Sequence, residues 1–557
     1  MLPSNCFYFD KYDLLNLVES KIYGYAITGD SLIFGIDGLR EYISGGANVN
    51  DIKKGRFAGL FLKDGHVHIR TDVTGQEIIY YYKDNDFFAV SNSFMLLASR
   101  VGQVRKLSLY EPAVMGFHLK NGVHIGEQLL SFKTMLEGVY ILPATSEIVV
   151  NQANSAISIE NFGFESIFSI TGDYHDSMLD FVEIASGALK ALADLDANFE
   201  LMLSGGYDSR VVLALLLQNP NVRENVNVIS HLGKADDYRV AKSLCERFDL
   251  LLNPQRYPRK NKISAGDSYR AWLLSCGGTY LPIYQTNDIF LDSRPVFKLT
   301  GDQPTGWSHF AGKAQFNGDS KKITLDIEKY LKDRKLGGEV SRDFNSVFHE
   351  IGVDPDAPYA MLAHYSAVRS RHHCGRNWYK SLGGNMLFTP MMLPEMIAID
   401  MSIARSGLPS NQFFVDIFSI FGAWALDEPF ETEARAFDNE LVRSSKFYGG
   451  VNVNPRKIKV FGYPLKPDGD LASMYDVPLD FNNSNSNFMD CLKHSFNVSR
   501  DARVSGLFTS DDYILAKGEL NSENLNLSHG VRKATHIVMA DLVMKIVESS
   551  GKKKYSF

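Results

Sequence analysis

The chain has 557 residues, a net charge of −7, 45% hydrophobic and 22% charged residues, and a mean hydropathy of −0.14. That length points to two or more domains, each able to bury a core, and the acidic balance without a long basic stripe argues against a nucleic-acid binder held by phosphate contacts. Five scattered cysteines, an odd number with no CxxC pair, fit a reduced, cytoplasmic protein; no apolar run reaches membrane length and no charged-then-apolar leader opens the chain, so neither a span nor secretion is expected.

From residue 1 to about 160 the sequence reads as short strands broken by turns: Tyr25 to Ile27, Ser31 to Phe34, Arg56 to Lys63, His66 to Thr71, Ile78 to Tyr82 and Phe87 to Ser91. Lys63-Asp64-Gly65-His66 is a hairpin signal, and helices are expected to begin near Ser93 and Leu109. An antiparallel, mostly β domain follows. Residues 161 to 175 lack periodicity and read as a linker, after which a helix is expected from Ser177 to about Leu195.

Asn198 to Leu203 is a short apolar run of the kind that fills a buried parallel strand, and Val211 to Gln218 is an apolar helical segment closed by Asn219-Pro220. Ser204-Gly205-Gly206-Tyr207-Asp208-Ser209 therefore sits at a strand-to-helix turn, where unpaired N–H groups and the positive end of the helix dipole favour an anion. Gly205 and Gly206 let the backbone approach a phosphate, Ser204 and Ser209 add hydroxyl donors, and Asp208 offers a hard oxygen ligand for a magnesium ion on those phosphates. No Gly-Lys-Ser/Thr follows, so this is not the other familiar phosphate loop.

Downstream, a strand from Asn225 to Ser230 and a helix from Arg239 to Phe248 continue a β–α alternation, which implies a doubly wound parallel sheet with ligands at the carboxyl ends of its strands. Asp236 and Asp237 stand between the two, either as site carboxylates or as acids decorating a helix N-terminus. Val296 to Thr300 is an apolar strand that delivers Asp302 into a glycine-containing turn, the place for a second magnesium ligand. Arg371-His372-His373-Cys374 holds adjacent ligands without a second spaced pair and so makes a poor zinc site; a packed cluster is the plainer reading, while an imidazole there has the right pKa for a general base. Pro455 to Pro464 carries Arg456, Lys457 and Lys459, and Ala534 to Glu548 reads as an amphipathic closing helix.

The order Ser-Gly-Gly-x-Asp-Ser resembles the PP-loop of the N-type ATP pyrophosphatases. Before it, Gly55 to Phe61, Asp72-Val-Thr-Gly75 running into Tyr80-Tyr81-Tyr82, Val90 to Ala98 and Leu136 to Pro143 come in an order similar to the glutaminase domain of the asparagine synthetase B family. The resemblance implies an N-terminal Ntn-hydrolase-like domain over 1–165, followed by a PP-loop synthetase domain over 176–557. It also departs from the family: Leu2 stands where the glutaminase cysteine belongs, Cys6 is preceded by five residues, and about three residues are missing between Gly301 and Asp302. A degenerate glutaminase without hydrolytic activity is expected, as in β-lactam synthetase-like relatives, and the tyrosine by which those relatives help deprotonate the amine has no counterpart.

What the resemblance implies for function is an ATP- and Mg2+-dependent ligase that adenylates a carboxylate, releases pyrophosphate and lets an amine attack. Ser204, Gly205, Gly206, Asp208 and Ser209 would bind the nucleotide, Asp208 and Asp302 the metal, and Lys457 or Lys459 would neutralise charge between the α-phosphate and the acyl group. The implied partners are a carboxylate-bearing small molecule or peptide and an amine donor, with no nucleic acid and no membrane; a homodimer is an assembly open to such a chain. The rival readings are a PP-loop tRNA-modifying or sulfur-transfer enzyme, which needs paired thiols or a basic RNA surface, and a non-catalytic nucleotide-binding homologue.

Overall fold

The computed structural model describes residues 6–117, 119, 127–170, 172–220, 225–254, 260–282, 288–290, 294–306, 320–332, 336–375, 385–409, 411–464, 487–522 and 531–552. Leu2, named above, lies outside them.

The chain is a mixed α/β protein with several sheets. Its first part runs β1 (Tyr8–Asp10), β2 (Lys21–Ile27), β3 (Ser31–Phe34), β4 (Lys54–Lys63), β5 (His66–Thr71), β6 (Tyr80–Lys83), β7 (Phe88–Ser91), β8 (Val139–Ile141), β9 (Ser146–Asn151) and β10 (Ile157–Asn161). These form a four-stranded sheet, β1-β7-β6-β8, and a larger antiparallel sheet, β10-β9-β5-β4-β2-β3, extended at β3 by the short parallel strand Lys459–Phe461. Alternation decides the faces. Val67 and Ile69 of β5 point between the sheets with Leu60, Ile148, Phe88 and Val90, while His68 and Arg70 point to the opposite, outer side. Part of that outer side is covered by helix Gly35–Ser44 through Leu39 and Tyr42, and the far side of the smaller sheet by helix Phe94–Val104. The layers are thus helix, sheet, sheet, helix.

The second part is built on a wholly parallel sheet. After helix Tyr174–Ala193 comes β11 (Asn198–Met202), then helix Tyr207–Leu217, β12 (Val226–Ile229), helix Ala235–Phe248 and β13 (Leu251–Leu252). A two-stranded pair, β14 (Lys260–Lys262) and β15 (Asp288–Phe290), stands apart; β16 (Val296–Leu299) and β17 (Asn385–Phe388) complete a sheet of order β13-β12-β11-β16-β17. The chain therefore winds outward from β11 through β12 to β13, then returns to the other side of β11. The switch point lies between β11 and β16, the place, a crevice at the carboxyl ends of the strands, at which ligands bind in sheets of this kind.

Three expectations need correction. The supposed linker, residues 161 to 175, holds the helix Phe164–Phe168, whose two phenylalanines are buried, and runs into the helix that starts at Tyr174. The helix after β12 starts at Ala235, four residues before Arg239, so Asp236 and Asp237 belong to its first turn. The closing helix, Arg532–Ser549, is not amphipathic: every residue from Ala534 to Met544 is buried, because helices Phe94–Val104, Phe488–Asn497 and Ser510–Asn521 all pack on it. A sequence reading for one apolar face cannot recognise a helix enclosed on all sides.

Candidate active site

The Ser204–Ser209 segment leaves the carboxyl end of β11 and enters the helix Tyr207–Leu217 at Gly206, whose extended backbone provides no side-chain cap. The two serines tie the turn shut: Ser204 N–H donates to Ser209 Oγ at 3.1 Å, the two hydroxyls lie 3.1 Å apart, and Gly206 N–H donates to Ser204 Oγ at 3.3 Å. Gly205 N–H donates to the Asp237 carboxylate at 2.8 Å, with the Lys234 ammonium 3.7 Å from the other oxygen of that carboxylate. Asp237 is therefore part of the loop's own hydrogen bonding, whereas Asp236 faces solvent 3.9 Å from Arg239. The alternation of acids at this helix start resolves with one inward and one outward.

The loop after β16 completes the crevice. A Cβ added at Gly301 would stand 2.7 Å from Asp208 Cβ and 2.8 Å from Ser209 N, so only glycine lets this turn close on the first. The next residue is Asp302, whose carboxylate accepts a hydrogen bond from Thr300 Oγ1 at 2.8 Å. Cys374 reports on both acids. Burial first, then the charges of Asp302 and Asp208, push its thiol well above the ordinary range. Gly301 thus sets the Asp302 turn against the backbone of Asp208 and Ser209. Among the described residues no group of three or more metal-ligating side chains occurs, and His372, His373 and Cys374 do not form one. Two carboxylates suit magnesium all the same, since that ion takes one or two from protein and the rest of its shell from phosphate and water.

A second layer supports the Asp302 turn. Tyr365–Ser370 is a π-helical stretch, a form that recurs at functional sites. Ser366 Oγ donates to Pro304 O at 3.0 Å and Ser370 Oγ to Gln303 O at 3.4 Å. Arg369 donates to Gln128 Oε1 at 2.8 Å and holds its guanidinium 5.5 Å from the centre of the Tyr280 ring. The Tyr280 hydroxyl lies 2.6 Å from His373 Nδ1. Tyr365 sits among these groups: burial raises its phenol, and Cys374, Arg369, Tyr280 and Asp302 all act on it. Of the two candidate histidines, His373 is the one joined to this network through Tyr280.

Two residues of the site were not singled out by sequence. Arg210 follows the loop motif and is fully buried; it donates to Ala425 O at 3.2 Å, Glu428 O at 2.7 Å and Pro429 O at 2.6 Å, and lies 3.7 Å over the Phe430 ring. This clamp lays the next residues along the loop: Glu431 N–H donates to Gly205 O at 3.2 Å, and Arg435, 2.9 Å from Glu431, comes to 3.4 Å from a Cβ built on Gly206. Arg435, paired with Glu431, is a cation that the fold brings beside Gly206. The only sequence signal was an arginine inside an otherwise apolar helix.

Lys457 and Lys459 lie elsewhere. Arg456 N–H donates to Glu183 O at 3.0 Å, its side chain pairs with Asp180, and Gly187 leaves room for the Arg456 backbone, so the segment is strapped to helix Tyr174–Ala193. It then joins β3, with Lys459 N–H donating to Asp30 O at 2.7 Å. Both lysines are exposed, Lys459 resting 4.5 Å over the Phe461 ring, and no hydrogen bond or ion pair links either to residues 204–209 among the described residues. Cys6 is buried just before β1; burial, with the Glu77 charge, keeps its thiol protonated.

No protein-family model matches the sequence, and no curated protein matches it. Among solved structures, the chain aligns with the glutamine phosphoribosylpyrophosphate amidotransferase of B. subtilis, complexed with ADP and GMP, at 10% identity and a TM-score of 0.11. The alignment covers 54% of this chain and 56% of that one, so the chain spans little over half of that enzyme's length. A likeness at this level carries no argument about fold or activity here. No helix among the described residues is long and apolar enough to cross a membrane.

Proposed function

We propose that the crevice between β11 and β16 is the nucleotide site of an ATP-dependent, AMP-forming ligase. The observation that carries this reading is the contact of Gly301 with Asp208 and Ser209 at the switch point of the parallel sheet, which sets two carboxylates beside a strand-to-helix turn. In the proposed reaction a carboxylate oxygen of the substrate attacks the α-phosphorus of ATP and pyrophosphate leaves; an amine nitrogen then attacks the acyl carbon and AMP leaves with the bonding pair. Ser204, Ser209 and the first N–H groups of the loop helix would hold the pyrophosphate, and Arg435 would offset its charge. Magnesium, held by Asp208 and Asp302, would supply charge neutralisation to the phosphates. Tyr280, hydrogen-bonded to His373, would take the amine proton. The layered N-terminal part, with Cys6 buried, is read as an Ntn-hydrolase-like domain without glutaminase activity, so the nitrogen comes from a substrate amine or ammonia.

The test is exchange of labelled pyrophosphate into ATP, with Mg2+ and a panel of amino and organic acids. Exchange that depends on one acid and is abolished by Asp208→Asn is the expected result. ATP bound without exchange for any acid would leave a non-catalytic nucleotide-binding homologue.

A further inference from the structure

The Asp302 turn is held by groups that are themselves held from the N-terminal part of the chain. Gln303 O accepts from Ser370 Oγ and lies 4.0 Å from the Cys374 sulfur, and Pro304 O accepts from Ser366 Oγ. Thr305 Oγ1 lies 2.9 Å from Gln303 Oε1 and hydrogen-bonds the carboxylate of Asp400, a residue 1% exposed in helix Pro394–Arg405. The holders thus belong to two stretches, 366–374 and the helix that carries Asp400.

Both stretches close on one turn between β5 and β6, Asp72 to Glu77. The buried Asp72 carboxylate shapes that turn by accepting from Thr74 Oγ1 at 2.6 Å, Gln76 N–H at 3.0 Å and Glu77 N–H at 3.2 Å. On one side Arg371, which directly follows the π-helical stretch, donates to Gly75 O at 3.4 Å and to Leu142 O at 3.0 Å, and a Cβ on Gly375 would stand 2.6 Å from Gln76 O. On the other side the buried Gln76 amide donates to Gly55 O at 2.8 Å and to Met392 O at 3.1 Å, and accepts from Thr389 Oγ1 at 2.6 Å. Thr389 follows β17 directly, and Met392 stands two residues before the Asp400 helix. Lys54, next to Gly55, pairs with Glu395 in the first turn of that helix. One glutamine side chain therefore ties β4 to the stretch between β17 and the helix that holds Thr305. With three partners in a buried place it has a single orientation, and so has the stretch it holds.

We propose that Gln76 is a positioning residue for Asp302: through Thr389, Met392 and the Asp400 helix it sets where the Asp302 turn stands against Asp208 and Ser209. The assignment rests on the reading of Asp302 as a magnesium ligand. It gives the N-terminal part a task at the crevice that needs no thiol nucleophile.

Calorimetric titration of ATP into the full chain at a series of Mg2+ concentrations tests it. Gln76→Met keeps the length of the side chain and removes its three hydrogen bonds, so half-saturating Mg2+ is expected to rise about tenfold, as for other groups that orient a metal ligand. In the Asp302→Asn background the same substitution is expected to add less than about twofold, because its target is gone. Melting curves accompany each variant: a general loosening lowers the melting temperature without moving the Mg2+ requirement of the folded fraction. Thr389→Val removes one of the three bonds with little change of shape, and it carries the test if Gln76→Met does not fold; a rise of at least about twofold, again absent in Asp302→Asn, is expected. An unmoved Mg2+ requirement in the folded variants, or an equal shift in both backgrounds, would overturn the proposal. So would ATP binding by the unsubstituted chain that does not depend on Mg2+. Mg2+-dependent binding without pyrophosphate exchange would instead sink the ligase reading, and the Mg2+ shift would still support the role of Gln76.

Discussion

Gly301 closes directly on Asp208, with space for no side chain between them: a Cβ there would meet Asp208 Cβ at 2.7 Å and the Asp208 carbonyl carbon at 2.8 Å. Both near atoms belong to a helix start, which cannot yield as a flexible side chain would. Gly301→Ala is therefore expected to push the Asp302 turn off the loop and to lower pyrophosphate release at least about a hundredfold, with helical content retained. Asp208→Asn and Asp302→Asn keep side-chain volume and remove charge, so each should give a similar loss that added Mg2+ partly restores. Near wild-type release by Asp302→Asn would separate the turn from the chemistry.

Asp237 holds the Gly205 N–H that an incoming phosphate oxygen would otherwise use, at 2.8 Å. A carboxylate at this point both occupies the donor and repels the ligand. Asp237→Ala is expected to tighten pyrophosphate binding by about threefold or more in calorimetry, most strongly at low salt. Weaker binding in the variant would mean that Asp237 organises the loop for its ligand.

The basic residues can be ranked by the same geometry. Lys457→Met and Lys459→Met remove exposed charges strapped to another part of the fold, so pyrophosphate release under saturating ATP should stay within about twofold. Arg435→Met removes the cation beside Gly206 and should lower the maximal rate about tenfold or more. A large loss in either lysine variant would show that the 456–459 segment leaves helix Tyr174–Ala193 during turnover.

These contrasts show what the sequence could disclose. The loop at 204–209 was legible because six small or polar residues lay between an apolar strand and an apolar helix, a strictly local pattern. Ser31–Phe34 and His66–Thr71 matched residue for residue because turn signals bracket both. The position of Lys459 depended on pairing with β3, over four hundred residues away, and Arg210 on carbonyls supplied by residues 425–429. Neither has any local signature. The same holds for the Tyr280–His373 contact: the histidine segment was a candidate by itself, but nothing local joins it to Tyr280.

His364 gives a dependence on pH. It is wholly buried between the rings of Phe344 and Phe348, at 4.3 and 5.3 Å, and burial pushes its pKa from 6.5 down to about 3. The unfolded chain therefore binds the proton more readily than the folded one between those values. Its contribution is neutral above pH 6.5, and stability falls as pH drops through the window toward 3, by at most about 1.4 kcal/mol per pH unit. His364→Leu should flatten the fall in melting temperature between pH 7 and 5; an unchanged slope would place the acid sensitivity in other groups.

The Tyr280–His373 pair allows the sharpest separation of steps. Adenylation breaks a phosphorus–oxygen bond and needs no base on the acceptor side, whereas amide formation must remove a proton from the attacking amine. With 2.6 Å between the phenol oxygen and His373 Nδ1, Tyr280 can take that proton as its own passes to the imidazole, and Arg369 at 5.5 Å favours the anionic phenol in transit. Tyr280→Phe should consequently leave pyrophosphate exchange within about threefold and lower amide formation about a hundredfold, since general-base catalysis contributes on that order. His373→Gln keeps a hydrogen-bond acceptor for the phenol but cannot carry the proton, so it should follow Tyr280→Phe in lowering the amide-forming rate. Hydroxylamine, unprotonated at neutral pH, needs no base and should restore acyl transfer in both variants. If Tyr280→Phe instead abolished exchange along with amide formation, and hydroxylamine restored neither, the pair would be holding the Asp302 turn in place rather than moving a proton.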